Sequence, residues 1–281
     1  MTLTGSGPAY DPPADARPRR AGAPVPARTR VYGPERRLDR RVALVTGASS
    51  DIGAATARRF AMDGWQLLLG GRDRYRLERT AAGTSAVVLP ADLAAPDGPR
   101  LLARSALHMT GRIDVLVAGA DIGWTGPFAA MPHTDIDRVL TLDLNATLHL
   151  VREVLPTMIA AGRGRVVLLG ALADRAGARQ EAVYCAAKAG LAAFARALRR
   201  ELRGTGVGVT FVVPGPVDTD LRTRRAGPDP ASRAGLLTPG DVAATIFDAV
   251  RRHRDEAHLA PPSQPRARGP GLYRRLRDRR G

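Results

Sequence analysis

The sequence predicts an α/β fold: a doubly wound domain with a mainly parallel sheet of six or seven strands and helices on both faces. Three observations carry the prediction. Short runs that are apolar throughout, such as RVALVTG (41–47) and VGVTFVVPG (207–215), alternate with amphipathic helical stretches. A strand with no polar side is buried on both faces, as in a parallel sheet covered by helices. The first run ends in a glycine-bearing turn, TGASSDIGAATA (46–57), that opens directly into a helix. Finally, 281 residues of which 44% are hydrophobic can bury the core of one large domain.

The elements follow in order. After the first strand, AATARRFAMDG is helical and Gly64 stops it. WQLLLGG is a second strand, RDRYRLERTAA a polar helix and SAVVLPADL a third strand. GPRLLARSALHMTG is a helix and IDVLVAGA a fourth strand. One long helical stretch is expected from about Thr134 to Ala161, then GRVVLLGAL as the fifth strand. AVYCAAKAGLAAFARALRREL is a helix, VGVTFVVPG the sixth strand and TPGDVAATIFDAVRRH the last regular helix. AHLAP is a candidate seventh strand. Residues 1–38, rich in Pro, Ala, Gly and Arg without apolar periodicity, read as a disordered leader. The folded domain spans 39–260, with a substrate segment at about 216–238, and 261–281 form a basic tail.

Composition excludes several function classes. The single cysteine, Cys185, leaves no internal disulfide and no multi-cysteine zinc site. The five histidines show no ligand spacing, so no metal is expected. No apolar run reaches the ~18 residues of a spanning helix, and the N-terminus has no signal-peptide pattern, so a cytoplasmic protein is expected. The net charge of +16 is concentrated at the ends: residues 1–40 and 251–281 supply 11 of it. No nucleic-acid module is visible, so no specific nucleic-acid partner is expected. GPGLYRRLRDRR, near the C-terminus, has Leu272, Tyr273 and Leu276 at helical spacing. It reads as a solvated tail helix, with weak contact to an anionic membrane surface as the other possibility.

One feature of composition is chemical. Of 43 basic residues, 42 are Arg, and the lone lysine, Lys188, stands four positions after Tyr184 in YCAAKAG. On a helix these two are neighbours. With the turn after the first strand, the pattern resembles the short-chain dehydrogenase/reductase (SDR) family in its classical form, over roughly Arg41 to Ala260. That family has a Rossmann-like domain and a TGxxxGxG turn, in which Asp51 here replaces the middle glycine.

The resemblance implies the following. Tyr184 is the general acid/base, and Lys188 holds the nicotinamide ribose and favours the tyrosinate. Gly47 and Gly53, with Ser49, Ser50, Asp51 and Ile52 between them, form the pyrophosphate turn; Asp51 is read as a helix cap. Asp92 and Leu93 take the adenine position. Ala118 and Gly119 end the fourth strand, and PGPVDT places Pro214, Gly215, Val217 and Thr219 near the nicotinamide. After the second strand, GGRD offers Arg72 instead of an acid, which points to NADP over NAD. The substrate is then a small-molecule carbonyl or alcohol. The helix bearing Tyr184 is the expected contact of a homodimer or homotetramer. Arg222, Arg224 and Arg225 in the substrate segment would favour an acidic substrate, and Trp124 would line the pocket.

The chain departs from the family in three places. The catalytic serine position, thirteen residues before the tyrosine, is Ala171. The catalytic asparagine maps to Asp143, which keeps the shape but not the charge. Asn145, two residues on, is about 200° around a helix and a poor substitute. The NNAG motif reads AGAD at 118–121, taken as a structural change at the sheet centre. Two readings stay open: an NADP-dependent oxidoreductase, or a catalytically impaired member that binds NADP(H) as a sensor or partner subunit.

Overall fold

The computed structural model describes residues 40–172, 177–226 and 235–260, with side chains through 223 in the second stretch. The expected leader 1–38, the tail 261–281, part of the substrate segment and the side chains of Arg224 and Arg225 lie outside the described residues. By its internal contacts the chain divides between Arg36 and Arg37, and all that follows concerns the second part.

Among the described residues seven strands form one sheet: β1 (Val42–Thr46), β2 (Gln66–Gly71), β3 (Val87–Pro90), β4 (Val115–Ala118), β5 (Gly164–Leu169), β6 (Val207–Pro214) and β7 (Glu256–Leu259). Their order is β3-β2-β1-β4-β5-β6-β7, and every pairing is parallel. The helices between them are α1 (Asp51–Met62), α2 (Arg74–Ala81), α3 (Gly98–Thr110), α4 (His133–Leu140), α5 (Ala146–Ala160), α6 (Ala182–Glu201), α7 (Asp220–Ala226) and α8 (Pro239–Arg251). The expected doubly wound α/β architecture is therefore present, seventh strand included. The short α7 falls inside the stretch read only as a substrate segment.

Alternation along β1 shows why its sequence is apolar throughout. Val42 and Leu44 belong to one buried cluster, with Leu102 of α3, Leu150 of α5 and Leu191 of α6. Ala43 and Val45 belong to the other, with Phe60 of α1 and Ile246 and Phe247 of α8. Each strand thus feeds two cores. In the second, Phe60 meets Trp65 and Phe247 edge-to-face, each at 5.1 Å between ring centres. On α6, the buried residues Tyr184, Ala187, Lys188, Leu191, Ala195 and Leu198 recur at three- and four-residue steps. The stripe that packs on the sheet is therefore the one that carries Tyr184 and Lys188.

The expected single helix from Thr134 to Ala161 is divided. Between α4 and α5 lies one π-helical turn, Thr141–Asn145. A π turn adds a residue to the helical circuit, so the faces before and after it are out of phase. Here it accompanies a fully buried Asp143, whose Oδ1 accepts a 2.8 Å hydrogen bond from the Ile122 N–H just after β4. A part-buried amide in the loop after a strand needs an acceptor, and the π turn brings one.

β1 lies between β2 and β4, so strand order reverses there, and Thr46 pairs with Ala118 at the strand ends. That crevice, outside the carboxyl ends of the strands, is where open parallel sheets bind ligands.

Candidate functional site

The crevice has a phosphate-like end and a chemical end. At the first, Thr46 Oγ1 donates to the Val117 carbonyl at 3.4 Å and accepts from the Gly119 N–H at 3.2 Å, tying β1 to β4. Gly47 follows with φ +65°, and a Cβ on it would lie 2.5 Å from Gly119 O. A Cβ on Gly53 would lie 2.1 Å from Gly47 O. Both positions therefore exclude any side chain, and the turn packs backbone on backbone.

Ser50, not Asp51, caps α1. Ser50 is extended (φ −86°, ψ 165°), and its hydroxyl accepts from the Gly53 N–H at 3.2 Å while donating to Gly47 O at 2.7 Å. Asp51 is already the first helical residue, so its side chain cannot reach back as an N-cap does. It turns outward instead: Oδ2 accepts from the Asp220 N–H at 2.8 Å, and Arg76 pairs with the Asp220 carboxylate at 3.0 Å. The start of α7 is thus held over the glycine turn from two sides.

Beneath it lies a cavity of about 470 Å³, lined among others by Ser49, Ser50, Asp51, Arg58, Arg76 and Arg79. Arg72, the residue read from the sequence as a phosphate partner, is exposed and does not line this cavity. The three arginines that do were missed. The signal for two of them was present, since Arg76 and Arg79 stand one helical turn apart in the polar helix α2.

The remaining cofactor candidates ring the same edge. Ile52 packs against the second core. Asp92 is exposed and accepts from the Ala94 N–H at 3.0 Å, while Leu93 is buried. Ala118 and Gly119 close β4. Pro214 ends β6, Gly215 N–H donates to Leu259 O at 2.7 Å, Val217 bridges to Leu237, and Thr219 lines the cavity.

At the chemical end four titratable groups meet. The Lys188 ammonium, 2% exposed, lies 3.3 Å from Leu169 O at the end of β5 and 3.3 Å from Asp121 Oδ2. The Tyr184 hydroxyl donates to the same Asp121 oxygen at 3.1 Å. Burial pulls the Lys188 pKa down, but the negative charges of Asp121, Tyr184 and Asp143 more than offset it, so the ammonium is held above its ordinary value. Asp143 is pushed up to about 9, first by burial and then by the Asp121 charge, with Lys188 and the Ile122 N–H opposing. Two buried carboxylate oxygens, Asp121 Oδ1 and Asp143 Oδ2, have no hydrogen-bond partner among the described residues.

The structure thus brings Tyr184, Lys188 and Asp143 together and adds a residue that sequence reasoning treated as structural. Asp121 is not a passive change at the sheet centre: it touches both the phenol and the ammonium. Its signal was its place as the last residue of AGAD, an acid where the family pattern has glycine. Asn145 is exposed, Ala171 is half-buried, and Trp124 packs with Ile122 in a small cluster around Met131, Val139 and Val183. Among the described residues no three of His, Cys, Asp and Glu gather as a metal site would need.

The family model for short chain dehydrogenase matches residues 41–228. The chain belongs to the short-chain dehydrogenase/reductase family. It is 33% identical over 224 residues to the ketoacyl reductase HetN of a Nostoc species, covering 78% of each chain. A metagenomic short-chain oxidoreductase solved in complex with NADP is 30% identical, with a TM-score of 0.68 over 80% of this chain and 98% of that one. An SDR from Burkholderia phymatum in complex with NAD is 26% identical, with a TM-score of 0.71 over 79% and 89%. Both nicotinamide cofactors thus occur among its relatives. Among the described residues no helix is long and apolar enough to cross a membrane.

The residues present fit such a cofactor. The glycine turn keeps two Cβ positions empty, and the cavity beside it carries Arg58 of α1 and Arg76 and Arg79 of α2. Three acids also line the cavity, Asp51, Asp218 and Asp220; the Asp51 carboxylate accepts from the Asp220 N–H, and the Asp220 carboxylate pairs with Arg76.

Proposed function

We propose that this SDR is an NADP-dependent oxidoreductase that interconverts a carbonyl and a hydroxyl group, with Tyr184 as acid/base. The observation that carries the reading is the buried Lys188 ammonium on the same helix stripe as the Tyr184 phenol, at the carboxyl edge of the sheet. NADPH, when bound, supplies the hydride. The chain's own residues do the rest. Gly47 and Gly53 admit the pyrophosphate to the α1 N-terminus. Arg58, Arg76 and Arg79 offer charge to a 2′-phosphate, and Arg72, which follows β2, is a further candidate. Lys188 holds the ribose. Tyr184 delivers its hydroxyl proton to the substrate oxygen in reduction and takes it back in oxidation.

A ketoacyl group is the first substrate to try, because the Nostoc relative is named a ketoacyl reductase. The reading also makes the protein a cytoplasmic enzyme, in keeping with its single cysteine, and a homodimer or homotetramer through the outer face of α6. The test is titration of the full chain with NADPH and NADH, followed by turnover on a panel of ketones and ketoacyl thioesters. NADPH should bind at least ten-fold more tightly than NADH, and Arg76→Ala should remove most of that difference. Turnover should vanish in Tyr184→Phe while NADPH binding stays. Binding without turnover on any member of the panel would place the chain with sensors or partner subunits.

A further inference from the structure

Asp121 and Asp143 face each other beside the phenol and the ammonium. Their carboxyls are within hydrogen-bonding reach, and each leaves one buried oxygen without a partner. Two ionised carboxylates offer only acceptors, so neither can satisfy the other. One proton between them satisfies both. It also balances charge: a pair with one proton carries a single negative charge against the single positive charge of Lys188 in a buried site.

We propose that Asp121 and Asp143 hold one proton in common and that Asp121 exchanges it with the Tyr184 oxygen, so that the carboxyl pair is the proton store of this site. The proposal rests on the reading of Tyr184 as acid/base, and it fills the gap left at Ala171 and at the family's asparagine position with two acids. The geometry places each part. Asp121 Oδ2 is 3.1 Å from the Tyr184 oxygen and 3.3 Å from Lys188 Nζ. Asp143 is fixed from behind by the Ile122 N–H at 2.8 Å and reaches no solvent, whereas the Asp121 side chain is 23% exposed and is the member that meets water.

The steps balance. When the Tyr184 O–H gives its proton to the substrate oxygen, one O–H bond breaks and another forms. The Asp121 carboxyl turns about its Cβ–Cγ bond and presents the shared proton. The carboxyl O–H breaks, the tyrosine O–H re-forms, and two carboxylates remain facing Lys188. A proton from water then restores the pair through Asp121. Oxidation of an alcohol runs the sequence backwards. The groups acting on the pair are those already named: the Lys188 charge and the Tyr184 hydroxyl from α6, the Ile122 N–H, and the two acids on each other.

The experiment uses the unliganded full chain first. Infrared difference spectra across a pH titration read the carbonyl stretch of a protonated carboxyl, marked by its shift in heavy water. The wild type should keep one such buried band at neutral pH and lose it only in the alkaline range. Asp143→Asn and Asp121→Asn should each abolish it, and the asparagine at 143 preserves shape if the variant at 121 folds poorly. Absorbance titration of tyrosine, with Tyr184→Phe as the subtraction, should show that Asp121→Asn displaces the Tyr184 titration. In turnover with NADPH, Asp121→Asn should lower kcat by roughly ten- to a hundred-fold with KM little changed, and Asp143→Asn should remove the alkaline limb of the pH profile. No carboxyl band in the wild type, or one that survives both substitutions, overturns the shared proton. A band that behaves as expected with kcat unchanged in Asp121→Asn overturns the store. If no nicotinamide nucleotide binds, the functional reading fails, and the infrared and tyrosine titrations still decide the pair.

Discussion

Asp143→Asn should change how stability depends on pH, and the structure sets the sign. In the unfolded chain an aspartate loses its proton near 3.8; in the fold Asp143 keeps its proton to about 9, because burial and the Asp121 charge oppose ionisation. Its folded pKa is therefore raised. The contribution of this group is full below 3.8 and is lost progressively as pH rises towards 9, after which it changes no further. Inside that window the unfolded chain has released a proton that the fold still holds, and each pH unit costs the fold about 1.4 kcal/mol. Over three units the ceiling is about 4 kcal/mol, reduced in practice because the charges around Asp143 interact with it. Asparagine has nearly the same size, its amide oxygen can accept from the Ile122 N–H, and its amide N–H can donate to Asp121 Oδ1. The assay is urea unfolding of wild type and variant at about pH 5, 6.5 and 8, with the m-value checked for constancy. The variant should gain on the wild type at each step and exceed it at the alkaline end by roughly 1–4 kcal/mol. Lys188 does not blur the result. Its raised pKa contributes stability that is present below its ordinary 10.5 and lost only above that, outside the window. Parallel stability curves for the two proteins would refute the argument, since they would mean that Asp143 ionises in the fold as it does in water.

Three further outcomes follow from the same geometry. Gly53→Ala would place a methyl 2.1 Å from Gly47 O, where only backbone could yield; it should cost about 1–3 kcal/mol in urea unfolding and weaken NADPH binding. Asp51→Gly removes a carboxylate from the cavity and frees the Asp220 N–H, so NADPH should bind about three- to ten-fold tighter by fluorescence titration, with a loss of order 0.5 kcal/mol from the first turn of α1. Phe247→Ala empties a site ringed by Phe60 and the α1–α8 packing and should cost about 3–5 kcal/mol with the active-site titrations unchanged.

The apolar strand runs were legible because a strand buried on both faces must be apolar at every position, so the alternation of runs and amphipathic helices translates directly into parallel order. The lone lysine was legible for a different reason: in a chain that otherwise uses Arg, a compact ammonium marks a place where guanidinium geometry will not serve. The π turn was not legible. A helical period averaged over 28 residues hides one extra residue, and the Ile122 amide that Asp143 satisfies lies 21 residues away. That Arg76 and Arg79 line the cavity and Arg72 does not was not legible either, because which exposed arginine borders a cavity depends on how α2 packs beside the glycine turn.

By itself, then, the sequence determined the layered α/β architecture, the glycine turn and the phenol–amine pair, all of which depend on local periodicity or on neighbours a few residues apart. Only the tertiary structure decided what stands beside that pair. Asp121 and Tyr184 are 63 residues apart in the chain and 3.1 Å apart in space. Contact of that kind depends on how β4, the π turn and α6 pack against one another, and no local pattern encodes it.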